Sequence, residues 1–410
     1  MRMLGKISLN YLLLIVITSL FVRVIFLILY SNPFTFFAED SLDYYLIAKH
    51  AEINGIMNWE SHERDPLISF LIIPFIKIFN ESLSIFFIRL FMIFLSTITC
   101  IVLYFLSLEI TQNRKISLIT SIVYCLYPYS IFLSNQLLTE NLSSLLISLI
   151  ALYFIKFINK DSLYHLVIAS FLMGLLSLTR SSYIYLPVFL SFIILLTKKT
   201  NTKKFSYTVI IFLIFYLTLS PWIIKNYNQF NSFVPTTTRL GYGLLISNYD
   251  FQDPVQKKGG YSKSMEIQKI LEDTDFMNPV DKSNYLKKIV FKKIINNKII
   301  FLKLTAFRLL NFFNPKPNPY TNLKKKDFIS IFFYTPILLF FLASFSKKKY
   351  SLNDFILLII ILYSVLISII FYGFPRFRYT VDSLIFIMSI NFIFEKIKDK
   401  KLFKFLIKSN

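Results

Sequence analysis

Apolar runs of bilayer length alternate with short polar breaks along this chain of 410 residues. A helix needs ~20 apolar residues to cross hydrocarbon, or slightly fewer at the short end of the range. Runs of that order lie at 8–30, 83–108, 116–133, 141–158, 162–178, 183–196, 205–222, 328–345, 355–371 and 381–394. The pattern predicts an all-α polytopic membrane protein, a bundle of about ten transmembrane helices. The first run is too long for a signal-peptide core and has no small-residue cleavage site after it, so it is expected to remain as a helix.

Two polar stretches, 31–82 and 223–327, break the alternation. They divide the chain into a membrane core 1–222 carrying the loop 31–82, a segment 223–327 with surface helices, and a C-terminal part 328–410 with the last three spans and a basic tail. Within 223–327, Gly259, Gly260 and the stretch 314–319 read as turns. The run 294–313 is apolar but holds Lys298, Lys303 and Arg308, which are costly in lipid. It is expected to be an amphipathic helix on the membrane surface rather than a span.

Composition agrees with this class. Hydrophobic residues make up 55% of the chain, with 46 Phe and 25 Tyr, which excludes an ordinary soluble domain. The net charge of +22 would suggest a nucleic-acid partner, but topology accounts for it better. With the N-terminus inside, Arg2, Lys6, Arg114, Lys115, Lys156, Lys160, Lys198, Lys199, Lys203, Lys204, Lys347, Lys348, Lys349 and the tail lysines face the cytoplasm. The short loops on the other side hold only Lys49, Arg64, Lys77, Arg180, Arg376 and Arg378. That bias predicts a multi-pass protein of the inner (plasma) membrane, with membrane lipids and not nucleic acid as its surroundings. Cys100 and Cys125 both lie in apolar runs, which argues against a disulfide framework.

The candidate chemistry collects on the outer face. The stretch FFAEDSLDYYLIAKH places Glu39, Asp40 and Asp43 together just after the first span. Asp40, Tyr44 and Ala48 share one face of a helix, and Gly55 is a plausible stop. Leu42, Tyr45, Leu46 and Ile53 are placed to rest on lipid or on the bundle. Asp40 could be a helix-end charge in water or a working carboxylate; spacing alone leaves both open. In ERDPLISFLIIPFIKIF, Asp65 reads as an N-cap and Pro66 as the first residue of a second surface helix, with Arg64 beside its anion-attracting end. Arg23 and Arg89 lie roughly 10 Å inside the outer ends of their helices at 1.5 Å per residue. There they could snorkel to headgroups or meet a lipid phosphate. Arg180, Lys225, Arg376, Arg378 and Glu140 are expected at the same face. Trp222 could stack on a sugar or anchor a helix at the interface, and His165 reads as core. His50, His62 and Glu63 have no diagnostic ligand spacing, so no metal or other cofactor is expected.

Several of these stretches resemble the glycosyltransferase C enzymes that use polyprenyl-phosphate sugars, the group of protein O-mannosyltransferases and lipid A aminoarabinose transferases. AEDSLDYYLIA is similar to the start of their first outer loop, and RDPLISF to their basic-x-Pro-Leu stretch. SIFFIRLFMIFL, LLTENLSSLL, GLLSLTRSSYIYLP, SPWIIKNYNQFNSF and GFPRFRYTVD follow in the family's order, so the resemblance runs from about Asp40 to Asp382. Ser41 stands where several members carry Glu, Lys225 replaces the usual Arg, and no Pro follows Arg378 at the usual distance. The resemblance implies a glycosyltransferase C-like bundle with juxtamembrane helices on the outer face. It implies a polyprenyl phosphate sugar donor, a glycan, lipid or protein acceptor, and inversion at the anomeric carbon. It also implies Asp40 as general base, with Asp43 the rival. Arg64, Lys225, Arg376 and Arg378, with Arg89 behind them, become candidates for the donor phosphate. Glu140 and Arg180 would orient the donor or pair with each other, and Tyr44 would touch substrate or pack. Because a phosphate leaves as an anion, one carboxylate suffices where a glycosidase needs two. A transporter or flippase of lipid-linked sugars is the alternative; it should show inverted repeats or broken helices at the midplane, the sequence shows neither, and the charges crowd one face.

Overall fold

The computed structural model describes residues 9–36, 39–55, 63–347 and 349–399. Arg2, Lys6, His62, Lys348 and most of the tail lysines lie outside the described residues. Every regular element among the described residues is helical. The chain opens with α1 (Leu9–Tyr30), then α2 (Glu39–Asn54), α3 (Leu67–Ile78), α4 (Glu81–Thr111), α5 (Arg114–Cys125) and α6 (Pro128–Leu133). It continues with α7 (Thr139–Lys160), α8 (Leu163–Thr179), α9 (Leu186–Leu195) and α10 (Asn201–Phe230). The outer segment holds α11 (Leu240–Asn248), α12 (Pro254–Lys257), α13 (Met265–Asp273), α14 (Pro279–Asn296) and α15 (Lys298–Phe312). The last helices are α16 (Lys325–Ser344), α17 (Leu352–Ile370) and α18 (Pro375–Asp399).

Six of these, α1, α4, α7, α10, α16 and α17, are long and apolar enough to cross a membrane, and shorter apolar helices accompany them. The protein is therefore a multi-pass membrane protein. The expected run 116–133 is two helices, because Pro128 lacks an amide proton and starts α6 after a break at Leu126 and Tyr127. The run 183–196 likewise begins as a short 3-10 turn at Ser181–Tyr183 before α9.

Burial follows pattern. Helix α1 buries Ile15, Ser19, Arg23 and Leu27, one residue per turn, and exposes Ile17, Phe21 and Ile28 on the other faces. Helix α7 is buried on nearly all sides and forms the centre of the bundle, packed against α4, α8 and α18. Its first turn therefore delivers Glu140 to the middle of one end of the bundle.

The intrabundle arginines do not snorkel. Arg23 is fully buried and donates to Ser96 Oγ (3.0 Å), Ser130 Oγ (3.0 Å) and the Cys125 carbonyl (3.1 Å). Hydroxyls and a free carbonyl at the α5–α6 break satisfy it inside the bundle, so it need not reach for headgroups. Arg89 is also fully buried and binds the chain just after α1, donating to Ser31 Oγ (2.8 Å), the Thr35 carbonyl (2.8 Å) and the Asn32 carbonyl, and to Asn135 O (3.0 Å).

Helices α2 and α3 pack on each other at the mouth of the bundle. Tyr44, Tyr45 and Ala48 face inward, whereas Leu42, Leu46 and Ile53 are exposed. Gly55, at φ +84°, ends α2 as expected. The outer segment has its own small core of Leu244, Leu245, Ile246, Ile267, Leu286 and Val290. Gly241 lets α11 touch α14: a Cβ there would lie 2.3 Å from the Ser283 carbonyl oxygen. The amphipathic run 294–313 is not one helix; Asn297 separates α14 from α15. Lys298 and Lys303 are exposed as an amphipathic helix requires, but Arg308 is buried and donates to Asn248 Oδ1 (2.9 Å) and the Ile369 carbonyl (3.0 Å), tying α15 to the end of α17.

The deepest polar contact is an ion pair within α18. Arg378 Nε donates to Asp382 Oδ1 (2.9 Å), and Tyr334 (2.8 Å) and Tyr127 (3.0 Å) donate to the same carboxylate. Breaking a buried pair by removing one partner costs about 3–5 kcal/mol. Asp382→Ala should therefore lower the thermal unfolding temperature in detergent more than the paired replacement Arg378→Met with Asp382→Leu does. Equal losses in the two proteins would mean that the pair is not what holds this region.

Candidate active site

Four helix ends meet at the mouth of the bundle. Asp40 lies in the first turn of α2, where a helix N-terminus favours a carboxylate. Glu140 lies in the first turn of α7 for the same reason. Arg180 follows α8, and Arg376 follows Pro375 at the start of α18. Arg64 precedes Pro66 in the loop before α3.

These side chains form one chain of ion pairs. Arg376 Nη1 donates to Asp40 Oδ2 (2.8 Å), although the two residues are 336 apart in sequence. Arg376 Nε donates to Glu140 Oε1 (2.6 Å), and Arg180 Nη1 reaches the same oxygen (2.9 Å). Arg64 Nη2 donates to Asp40 Oδ1 (2.8 Å) and also pairs with Asp43. The Arg64 guanidinium faces the ring of Tyr44 at 5.5 Å, and Tyr44 itself is buried. Glu140 is 1% exposed and Asp40 29%, so one carboxylate is sealed and the other is open to a substrate.

Two carboxyls at this mouth are driven in opposite directions. Burial pushes Asp40 up, but Arg376 and Arg64 outweigh it and hold the carboxyl at about 2. Burial pushes Asp65 up to about 6; the Ser181 amide, Arg180 and Arg239 oppose it without cancelling it. Asp65 was expected to cap α3. Instead Pro66 occupies the cap position, and the Asp65 carboxylate accepts the Ser181 N–H at 3.0 Å. Helix α8 has just ended there, which leaves that amide without an intrahelical partner.

Asp40, Tyr44, Arg64, Glu140, Arg180 and Arg376 are thus brought together. Three other sequence candidates are committed elsewhere. Arg378 is locked to Asp382 and to the Phe312 (3.0 Å) and Asn314 (2.7 Å) carbonyls. Arg89 holds the loop after α1. Lys225 is buried over the Trp222 ring at 4.9 Å and bonds Gln229. Trp222 is neither a sugar platform nor an interface anchor: it is 6% exposed, donates to the Thr236 carbonyl at 2.7 Å and packs edge-on to Phe70. His165 packs beside Tyr153 and Tyr164, and His50 bonds Asn54. Among the described residues, no three His, Cys, Asp or Glu side chains gather as a metal cluster. Sequence reasoning missed Asp382, whose i, i+4 spacing from Arg378 was available, and Arg239, which lies in a polar stretch with no marker.

Residues 63–224 match the family model for dolichyl-phosphate-mannose-protein mannosyltransferases. They contain Arg64, Glu140 and Arg180 of the ion chain. The fold of the chain is similar to that of solved Archaeoglobus fulgidus oligosaccharyltransferases. For AglB in complex with an inhibitory peptide and a dolichol-phosphate, the TM-score is 0.58 at 14% identity, over 98% of this chain and 52% of that one. The apo form gives 0.60 at 13% identity, over 97% and 51%, and the form tethered to an acceptor peptide gives 0.59 at 15%, over 95% and 50%. The chain spans about half the length of those enzymes. No protein of curated function matches the chain in sequence.

The two opposed carboxyls give a pH signature. Asp65 binds its proton more tightly folded than unfolded, so its contribution is full below its ordinary value of 3.8 and is lost as pH rises through about 6. Asp40 is the reverse: its contribution holds above 3.8 and is lost as pH falls through about 2. Thermal unfolding of Asp65→Asn should lose the decline between pH 4 and 6 and exceed wild type at pH 7. A variant whose pH curve superimposes on wild type would show that Asp65 is not held this way.

Proposed function

We propose that the protein is an inverting glycosyltransferase that moves a sugar from a polyprenyl phosphate to an acceptor hydroxyl at the extracytoplasmic face of the inner membrane. The carrying observation is the ion chain from Asp43 through Arg64, Asp40, Arg376 and Glu140 to Arg180, set at one end of a glycosyltransferase C bundle. The core 1–222 and the C-terminal part 328–410 supply its members. Counting the shorter apolar helices as crossings, with α5 and α6 as one, and reading the N-terminus as inside from the distribution of lysines support that end as the outer one.

In this reading Asp40 is the general base. The acceptor oxygen attacks the anomeric carbon, the bond from that carbon to the phosphate oxygen breaks, and the polyprenyl phosphate leaves as an anion. The acceptor proton passes to Asp40. With a pKa of about 2, Asp40 is a poor proton acceptor while both arginines hold it. A donor phosphate between Arg64 and Arg376 competes for the same N–H groups, because bidentate guanidinium–phosphate pairs are strong. Its arrival loosens Asp40 and raises its basicity only when donor is bound. Glu140 remains with Arg376 and Arg180 and keeps their guanidinium groups in place.

Loss of a general base lowers turnover typically 10²–10⁴-fold. Asp40→Asn should lose sugar transfer by that amount while still binding donor, read as release of polyprenyl phosphate from labelled donor. Normal turnover by Asp40→Asn together with loss in Asp43→Asn would move the base to Asp43. A protein that binds the donor but never releases polyprenyl phosphate would be a carrier rather than an enzyme.

A further inference from the structure

The mouth of the bundle holds one more guanidinium than its ion chain uses. Arg64, Arg180 and Arg376 are each paired with at least one carboxylate. Arg239 makes no ion pair among the described residues. It is partly exposed, lies over the Tyr242 ring at 5.5 Å and stands immediately before α11. Contacts link it to the site: Tyr242 packs on the same small core as Tyr372, whose ring lies 5.1 Å from that of Phe377, and the Arg180 guanidinium stands over Phe377 at 4.8 Å. Tyr242 also lines a small recess of about 20 Å³, with Glu63, Thr238, Lys282 and Ser283 as its polar walls.

We propose that Arg239 is the docking cation for the phosphate of a polyprenyl phosphate, the first contact the donor makes on its way to Arg64 and Arg376. The inference rests on the reading of the site as a glycosyltransferase. A phosphate that goes directly to Arg64 or Arg376 must first displace Asp40 from a charge-assisted bond of 2.8 Å. At Arg239 nothing has to be displaced, and five N–H donors in a planar fork are available. The N-terminus of α11, nine residues long, adds its dipole on the same side. Tyr242 fixes the guanidinium by stacking without consuming its hydrogen bonds. Asp65, which has no cation bonded to it among the described residues, is the opposing charge nearby, and it weakens binding of an anion.

Binding, not transfer, tests this. The full chain in phosphatidylcholine nanodiscs is titrated with undecaprenyl phosphate, with phosphatidylglycerol and with inorganic phosphate, for wild type, Arg239→Ala, Arg239→Lys, Tyr242→Phe and Asp65→Asn. Arg239→Ala should raise the Kd for undecaprenyl phosphate at least tenfold, Arg239→Lys should recover part of that loss, and Tyr242→Phe, which keeps the ring, should match wild type. Asp65→Asn should bind more tightly, which a purely structural role for Arg239 would not produce. An unchanged Kd in folded Arg239→Ala overturns the proposal. So does an equal loss for phosphatidylglycerol, which would make Arg239 a general headgroup contact, or for inorganic phosphate, which would make it a free-phosphate site. Because no step measures sugar release, a protein that binds through Arg239 yet transfers nothing would refute the enzymatic reading and leave this one standing.

Discussion

Arg376 is the hinge of the site, because it is bonded at once to a sealed carboxylate and an open one. Its bond to Glu140 fixes the guanidinium against the central helix of the bundle. Its bond to Asp40 reaches across to a surface helix that is also tied to the start of α4, by Tyr45 to Ser84 and by Lys49 to Glu81. The fold has to bring the start of α18 beside the starts of α2 and α7, which requires the chain to finish next to where it left its first span. Most of the membrane topology can be seen as satisfying that closure.

The electrostatic logic is one of shared cations. With three arginines and three carboxylates in the chain of pairs, no member has a partner of its own. Adding one anion therefore redistributes every bond rather than filling a vacant place. In a partly desolvated mouth such redistribution carries more energy than it would in water. It also gives the arrangement selectivity in time, since the base becomes effective only after the charge it must work beside has arrived.

Hydropathy located the ends of α1, α4, α7, α16 and α17 within about three residues, because length and apolar content are local properties; α10 runs past its expected end because polar residues continue the same helix. It missed the break at Pro128 only because the apolar run continues through it. The outer helix from Asp40 to Gly55 was legible from i, i+4 spacing and a glycine stop. Which arginines serve the site was not. Arg89 and Arg378 carry the same charge and stand at the same level as Arg64 and Arg376. Whether each meets a carbonyl, a carboxylate or a ligand is decided by tertiary partners: Arg89 meets carbonyls on either side of α4, Arg378 meets Asp382 one turn on, and Arg376 meets carboxylates 236 and 336 residues away. Asp65 shows the same limit: its sequence context is that of a helix cap, and a distant orphan amide at Ser181 wins it. Arg239 lay beyond reach because an unpaired cation in a polar loop has no pattern.

Arg23 has a bearing on how the protein is made. Apart from the Ser19 carbonyl on its own helix, its hydrogen-bond partners are on α4, at the end of α5 and on α6, so they do not yet exist when α1 first leaves the ribosome. An unpartnered arginine deep in a helix is disfavoured in lipid by about 2.5–3.5 kcal/mol on insertion scales. The first helix therefore has reason to stay near the insertion machinery, or to sit shallow, until synthesis has passed Ser130 and the guanidinium can be handed from water to serine. Assembly of the bundle is then ordered from its N-terminal side, with one buried charge acting as the checkpoint.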